Sequence, residues 1–371
     1  MPGLFIQHQA EAVSSYCDVA VLYVHADEHA ANRYEIDFAE ENGIRVVRVY
    51  YREPHVPLLS GFLKMFRFYH AHLLGFKMLR SFQPDLLHVH VLTREGFVAL
   101  VIKLLKGIPY VITEHWSRYL PASNTFRGGF RKMITRQVVK SAAAMIAVSE
   151  TLKTAMLKFC LENVNFFVVP NPVETGLFTI GERPAGNNIK RFIHISCFED
   201  RSKNISGFLD AVKNLSEKRS DFECFLIGDG PEFNLLKSRA DELELLGKQV
   251  FFTGLKEQKE LVKEIQAADF MVLSSNYETF GTVVIECLSC GMPVVATNVG
   301  IVPEVINETN GIIIPVGDTK ALEDAIDRML DQCNSYDPQA IRNTVHTKFN
   351  NETNAKQLLE IYQQSITHHL H

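Results

Sequence analysis

Short apolar runs rich in β-branched residues alternate with helical apolar periodicity along almost the whole chain, and no other feature constrains the fold as much. Strand and helix repeated in this way close only as α/β units on parallel sheets. The runs at 18–24, 44–50, 85–90, 109–113, 144–148, 164–169, 191–196, 222–227, 249–253, 269–274, 293–297 and 311–314 are read as strands. That is too many for one comfortable sheet, so two Rossmann-like sheets are expected. The break falls at Val169-Pro170-Asn171-Pro172 and the Gly- and Pro-bearing stretch 176–188 behind it. This predicts a first domain over 1–172, a second over 173–350, and a last helix over 351–371 returning toward the first. The first domain opens on a helical pattern at Leu4–Val13 where a strand is usual, so its first strand is expected to be missing.

Composition removes several classes. With 46% hydrophobic and 22% charged residues over 371 positions, the chain has the make-up of a globular protein, neither disordered nor fibrous. No apolar run approaches the roughly 18 to 20 residues of a membrane span, and the first residues lack a signal-peptide pattern. A cytoplasmic location is expected. Seven scattered cysteines fit reduced thiols, and Cys287-x-x-Cys290 is placed near a helix end, away from the N-terminus a redox pair needs.

The net charge of −5 is unevenly divided: residues 1–172 hold 19 basic and 14 acidic side chains, whereas 173–371 hold 19 and 29. Residues 54–149 carry 13 basic residues against Asp85, Glu95 and Glu114. Within them, 57–82 combines Leu58, Leu59, Phe62, Phe66, Leu73 and Phe76 with Lys64, Arg67, Lys77 and Arg80, and 118–140 adds six bases and no acid. A basic first domain beside an acidic second predicts an anionic surface as partner on one side only: reversible attachment to the inner face of the plasma membrane. No nucleic-acid partner is expected.

Ligands of parallel α/β sheets sit outside the carboxyl ends of the strands. In the first domain His90, Thr113-Glu114-His115, Ser149 and Asn171 follow strands; in the second come Ser196 to Lys203, Gly228-Asp229-Gly230-Pro231, Thr253-Gly254, Ser274 to Gly281 and Thr297 to Gly300. Two such rims facing each other make an interdomain cleft. The densest segment, 274–286, is read as a loop running into a helix whose N-terminus is Gly281-Thr282, with Phe280 just before it. Free N–H groups there suit a phosphate. Glu278 precedes the helix and Glu286 lies about a turn inside it, so the two carboxylates flank that phosphate and can accept hydroxyl protons of a hexose and a ribose. A nucleotide-sugar fits this spacing.

The same residues resemble the family-4 (group 1) retaining glycosyltransferases of the GT-B fold. The resemblance rests on Glu278 and Glu286 seven residues apart, on Cys290 to Thr297, and on Gly228-Asp229-Gly230-Pro231, Phe252-Thr253-Gly254, Ala268-Asp269 and Gly311 to Pro315. In the first domain Pro84 to His90, Thr113-Glu114-His115 and Pro170 to Val173 match, so it covers nearly the whole chain. It implies that Glu278 binds hydroxyls of the donor sugar, Glu286 the ribose and Lys203 the diphosphate, with Thr253-Gly254 beside the base and His115 near the reacting centre. His90 and Asn171 would lie on the acceptor side. Two departures stand out: Ser196-Cys197 occupies the family's Gly-Arg position, with Arg201 as a substitute, and the first Gly-rich turn is reduced to Pro2-Gly3.

The reading is a metal-independent hexosyltransferase acting on a nucleotide diphosphate sugar and a glycan or lipid-linked acceptor in cell-surface polysaccharide synthesis, lipopolysaccharide among them, with no cofactor. The alternative is a catalytically impaired nucleotide-sugar-binding or scaffold subunit. A nicotinamide dehydrogenase is excluded because Gly228-x-Gly230 is followed by Phe233, which breaks the G-x-G-x-x-G fingerprint.

Overall fold

The computed structural model describes residues 4–54, 60–181 and 189–370. Pro2-Gly3, Leu58, Leu59 and the linker residues 182–188 lie outside the described residues. The strands are β1 (Ala20–Ala26), β2 (Tyr34–Glu41), β3 (Ile44–Tyr51), β4 (Leu87–His90), β5 (Tyr110–Glu114), β6 (Ala144–Ala147) and β7 (Phe166–Val168), then β8 (Lys190–Ile195), β9 (Phe222–Ile227), β10 (Val250–Gly254), β11 (Phe270–Leu273), β12 (Val294–Thr297) and β13 (Gly311–Ile314). The first described element is the helix α1 (Leu4–Ser14), followed later by α2 (Ser60–Met78), α3 (Glu95–Lys106), α4 (Gly129–Ser141) and α5 (Glu150–Leu157).

β8 to β13 form one six-stranded parallel sheet in the order β10-β9-β8-β11-β12-β13. The earlier strands form two sheets, β1-β3-β2 and β4-β5-β6-β7, so β1 and β4 each have a single partner. The expectation of parallel strands throughout fails at β2, which runs antiparallel to β3 through a two-residue turn. That turn is Asn42-Gly43, both with positive φ, the pairing a tight hairpin demands. β2 was not read as a strand because four acidic residues, Glu35, Asp37, Glu40 and Glu41, dominate it. Such charges protect an edge strand from pairing with other chains.

The alternation of side chains across each strand explains the layers. On β5 and β6, Tyr110, Ile112, Met145 and Ala147 face one apolar cluster, while Val111, Ala144 and Ile146 face another. The second cluster is closed by Val13 of α1 and by Ala355, Leu358 and Ile361 of the C-terminal helix Asn351–Leu370, which packs against the first-domain strands. In the six-stranded sheet Met271, Leu273, Val294 and Ala296 point to the cluster shared with β5 and β6, and Phe192, Phe270, Val272 and Val295 point away. One continuous apolar cluster therefore runs between the two halves and holds their carboxyl edges near each other.

Candidate active site

The donor-side loop descends from β11. Ser274 anchors it by donating to the Lys203 carbonyl (2.9 Å), and Asn276 N–H donates to the Ser202 carbonyl (2.8 Å), which ties it to the loop after β8. Glu278 then meets Lys203 at 2.5 Å and accepts from the Ser275 hydroxyl at 2.8 Å. Both charges are largely shielded from water, where such a pair is stronger than on an open surface. Gly281 caps the helix Thr282–Ser289, and the N–H groups of Gly281, Thr282 and Val283 have no acceptor among the described residues. They are the orphan donors that every helix start presents, and they suit an anion.

Glu286 lies one turn inside that helix. Its carboxylate has no hydrogen-bond or ion-pair partner among the described residues, and burial pushes its pKa up to about 7. A half-buried carboxylate with no protein partner leaves its oxygens free to accept a hydroxyl from a ligand. Thr253 and Gly254 end β10, and the Gly254 carbonyl accepts from the Gly228 N–H at 3.0 Å. Gly228 is required there: φ is +146°, and a Cβ would come within 1.9 Å of the Ser196 carbonyl oxygen. Gly300 is similarly close, since a Cβ would meet the Phe280 carbonyl at 2.3 Å. These contacts bring the ends of β8, β9, β10, β11 and β12 onto one rim.

Two residues sit differently from their sequence-based placement. Phe280 is 2% exposed and packs toward Phe349, so its side chain belongs to the core and only its backbone borders the loop. Arg201 is turned across the cleft, where its guanidinium donates to the Ser123 carbonyl at 2.9 Å. That bond bridges the two halves. Cys197 is exposed between Ser196 and Phe198, and Cys287 and Cys290 are buried at the end of the helix Thr282–Ser289, where burial pushes the Cys290 thiol up to about 12.

The first-domain rim carries a histidine cluster. His88 is held at both ring nitrogens, Nδ1 to the Tyr362 hydroxyl (2.5 Å) and Nε2 to the Thr113 hydroxyl (2.7 Å). His90 Nδ1 and His115 Nε2 are 3.1 Å apart, with stacked rings, and the Phe5 ring lies 4.6 Å from His115. Burial lowers the pKa of all three, His90 to about 4, so the imidazoles are neutral at pH 7. His115 is 9% exposed and, among the described residues, its Nδ1 has no partner. Asn171 is buried at the end of β7, and its Oδ1 likewise lacks one.

Sequence reasoning gave no role to Glu114, which organises this rim. Its fully buried carboxylate accepts from the backbone N–H groups of Leu92 (3.0 Å), His115 (2.8 Å) and Trp116 (2.8 Å), binding the loop after β4 to the loop after β5. Burial nevertheless raises its pKa to about 7, against the opposing pull of those bonds. Within the bridged loop Val91 has φ +74°, a conformation that costs a β-branched residue about 1–3 kcal/mol. A sequence hint existed, namely an acid closing an otherwise largely apolar strand.

The two rims touch. The Ser149 hydroxyl, at the end of β6, donates to the Thr279 carbonyl (2.6 Å), and Thr151 donates to the Gly300 carbonyl (2.8 Å). Ser149 also accepts from the Leu152 N–H and so caps α5. The loop bearing Glu278 is thus supported from both halves.

Two family models match this chain, one described as "Glycosyl transferase 4-like domain" over residues 3–172 and one as "Glycosyl transferases group 1" over residues 183–344. The chain is 26% identical over 287 residues to N-acetyl-alpha-D-glucosaminyl L-malate synthase of Bacillus anthracis, covering 75% of this chain and 74% of that protein. Its fold is similar to sucrose-phosphate synthase from Thermosynechococcus elongatus, with a TM-score of 0.81 at 20% identity over 99% of this chain and 94% of that one. It is also similar to Anabaena HepE in complex with UDP and glucose, with a TM-score of 0.73 at 18% identity over 98% and 96%.

Proposed function

Because this chain belongs to the group 1 glycosyltransferases and has the GT-B fold, we propose that it is a retaining hexosyltransferase that moves a sugar from a nucleotide diphosphate to a hydroxyl of a glycan or lipid-linked glycan. The observation that carries this reading is the loop 274–286, which offers Glu278 paired to Lys203, then unpaired helix N–H groups, then the partnerless Glu286. Hexose hydroxyls, diphosphate and ribose match these three in order. On binding, Lys203 and the N–H groups of Gly281 and Thr282 take the charge of the leaving diphosphate. The bond from the anomeric carbon to the diphosphate oxygen breaks as the bond to the acceptor oxygen forms on the same face, and the acceptor proton passes to the departing diphosphate. Neutral His115 can donate a hydrogen bond to the sugar without adding charge.

The test is Glu278→Gln, which keeps shape and loses a charge-assisted acceptor. Transfer from a panel of nucleotide-sugars, begun with UDP-glucose because a neighbour of this fold holds UDP and glucose, should fall by about 100-fold or more while circular dichroism shows the fold intact. Equal donor hydrolysis and transfer by the two proteins would exclude the assignment. The reading needs no metal, so activity should persist in EDTA; loss that only a divalent ion restores would refute that part.

A second reading, a nucleotide-sugar-binding subunit without transfer, draws on Cys197 in the place of an arginine and on the engagement of Arg201 with Ser123. Donor binding with neither hydrolysis nor transfer would select it. We place the protein in the cytoplasm, against an anionic membrane surface. The support is α4, where Phe130 (73% exposed) and Met133 (59% exposed) stand among Lys132, Arg136 and Lys140, with Arg127 just before the helix. In α2, Phe68 and Ala71 are buried, while Phe66 (56% exposed) and Leu73 (53% exposed) stand on the helix that carries Lys64, Arg67 and Lys77. Among the described residues no helix is long and apolar enough to cross a membrane.

A further inference from the structure

A pocket of ≈ 190 Å³ opens at the loops that follow β4 and β5. It is lined by Thr93, Arg94, Glu95, Trp116, Arg118 and Arg131. Three guanidinium groups border a space that small, and none has an ion-pair partner among the described residues. Among the described residues four other arginines, Arg48, Arg191, Arg219 and Arg239, meet carboxylates, while Arg52, Arg136 and Arg342 are held by backbone carbonyls.

In the pocket, aromatic rings do the holding instead. Arg118 lies over Trp116 at 4.6 Å, Arg94 over Phe68 at 5.7 Å and Arg131 over Phe126 at 6.0 Å. A ring steadies a guanidinium plane and leaves its N–H fork open, whereas a carboxylate would occupy that fork. Arg118 is oriented further by donating to the Thr93 hydroxyl at 3.0 Å. Glu95, the single acid in the lining, meets the Arg94 and Glu95 backbone N–H groups of its own helix start and lies within electrostatic reach of Arg94 and Arg118, so it offsets one of the three positive charges.

We infer that this pocket binds a phosphate group carried by the acceptor. Forks from three separate elements suit a tetrahedral anion with three or more oxygens better than a planar carboxylate, which one fork satisfies. The Glu114 clamp joins the two loops that hold the pocket to the two histidines, so a phosphate held here sets an acceptor hydroxyl toward the cleft. The word acceptor rests on the glycosyltransferase reading; phosphate binding does not. The phosphate can belong to a soluble sugar phosphate or to a lipid headgroup.

The experiment uses the full chain. Titration calorimetry with glucose 6-phosphate and with glucose should show binding of the phosphate ester alone. Its affinity should fall about tenfold or more in Arg118→Gln/Arg131→Gln and remain in Lys203→Gln, which removes the donor-side cation. Arg94→Gln, at an exposed position, should weaken binding by a smaller factor and guards against misfolding of the double variant. Flotation with phosphatidylglycerol vesicles separates the sources: a parallel loss in the double variant identifies a lipid phosphate, and unchanged flotation identifies a soluble ester. Loss in Lys203→Gln with retention in the double variant would overturn the proposal, as would no binding of the ester at on the order of 10 mM. UDP-glucose titrated into the same proteins reads the donor pocket separately, so failure of the glycosyltransferase reading would show there and not here.

Discussion

The two halves build their rims by different means. The six strands β8–β13 pair without interruption, and the donor-side loops are fixed by backbone contact at Gly228, Gly254 and Gly300. In the first half the strands divide into two sheets, and β1 and β4 are only partly buried where β5 and β6 are wholly buried. Its rim is held by side chains from distant parts of the chain, Glu114 across two loops and Tyr362 from the C-terminal helix onto His88. The donor-side rim adds side-chain ties, such as Ser274 to the Lys203 carbonyl and Ser149 to the Thr279 carbonyl, to a main-chain frame, whereas the first-half rim rests chiefly on side chains.

That contrast can be broken most severely at Gly228. Gly228→Ala drives a Cβ into the Ser196 carbonyl at a φ that alanine rarely adopts, and neither backbone can yield without parting β8 from β9. Stability should fall by more than about 2 kcal/mol, read as the midpoint of urea unfolding. An unchanged midpoint would mean that the rim is softer than the sheet implies.

Glu114→Gln probes the other half and should have a smaller effect, about 1–2 kcal/mol, because an amide oxygen can still accept from the same N–H groups without the charge. Amide exchange at Leu92, His115 and Trp116 should quicken while exchange in β11 and β12 stays slow. Uniform change across both halves would erase the distinction drawn above.

The pH dependence of stability has opposite signs on the two rims. His90 is pushed down to about 4, so the native ring stays neutral while the unfolded ring protonates below its ordinary 6.5. That stability is present above about 6.5 and is lost as pH falls toward 4. Glu286, raised to about 7, keeps a proton that the unfolded chain has released above about 4.5. Its contribution is therefore present below about 4.5 and declines as pH rises toward 7. Unfolding followed across pH 4–8 should show the decline reduced in Glu286→Gln and preserved in His90→Gln. Identical profiles for the two variants would count against both assignments.

The sequence by itself determined the α/β alternation, twelve of the thirteen strands to within about two residues at each end, and the family to which the chain belongs. Those properties are written locally: side-chain periodicity follows backbone geometry, and Glu278, Lys203 and Glu286 sit in short motifs with fixed spacing. β2 escaped because its acids masked an Asn-Gly hairpin signal that was present. Only the tertiary structure decided that Phe280 turns inward, that Arg201 reaches Ser123, that Glu114 joins two loops and that three unpaired arginines border one pocket. Each of these depends on which distant segments are buried together, and burial, unlike periodicity, is a property of the packed chain that no stretch of residues carries alone.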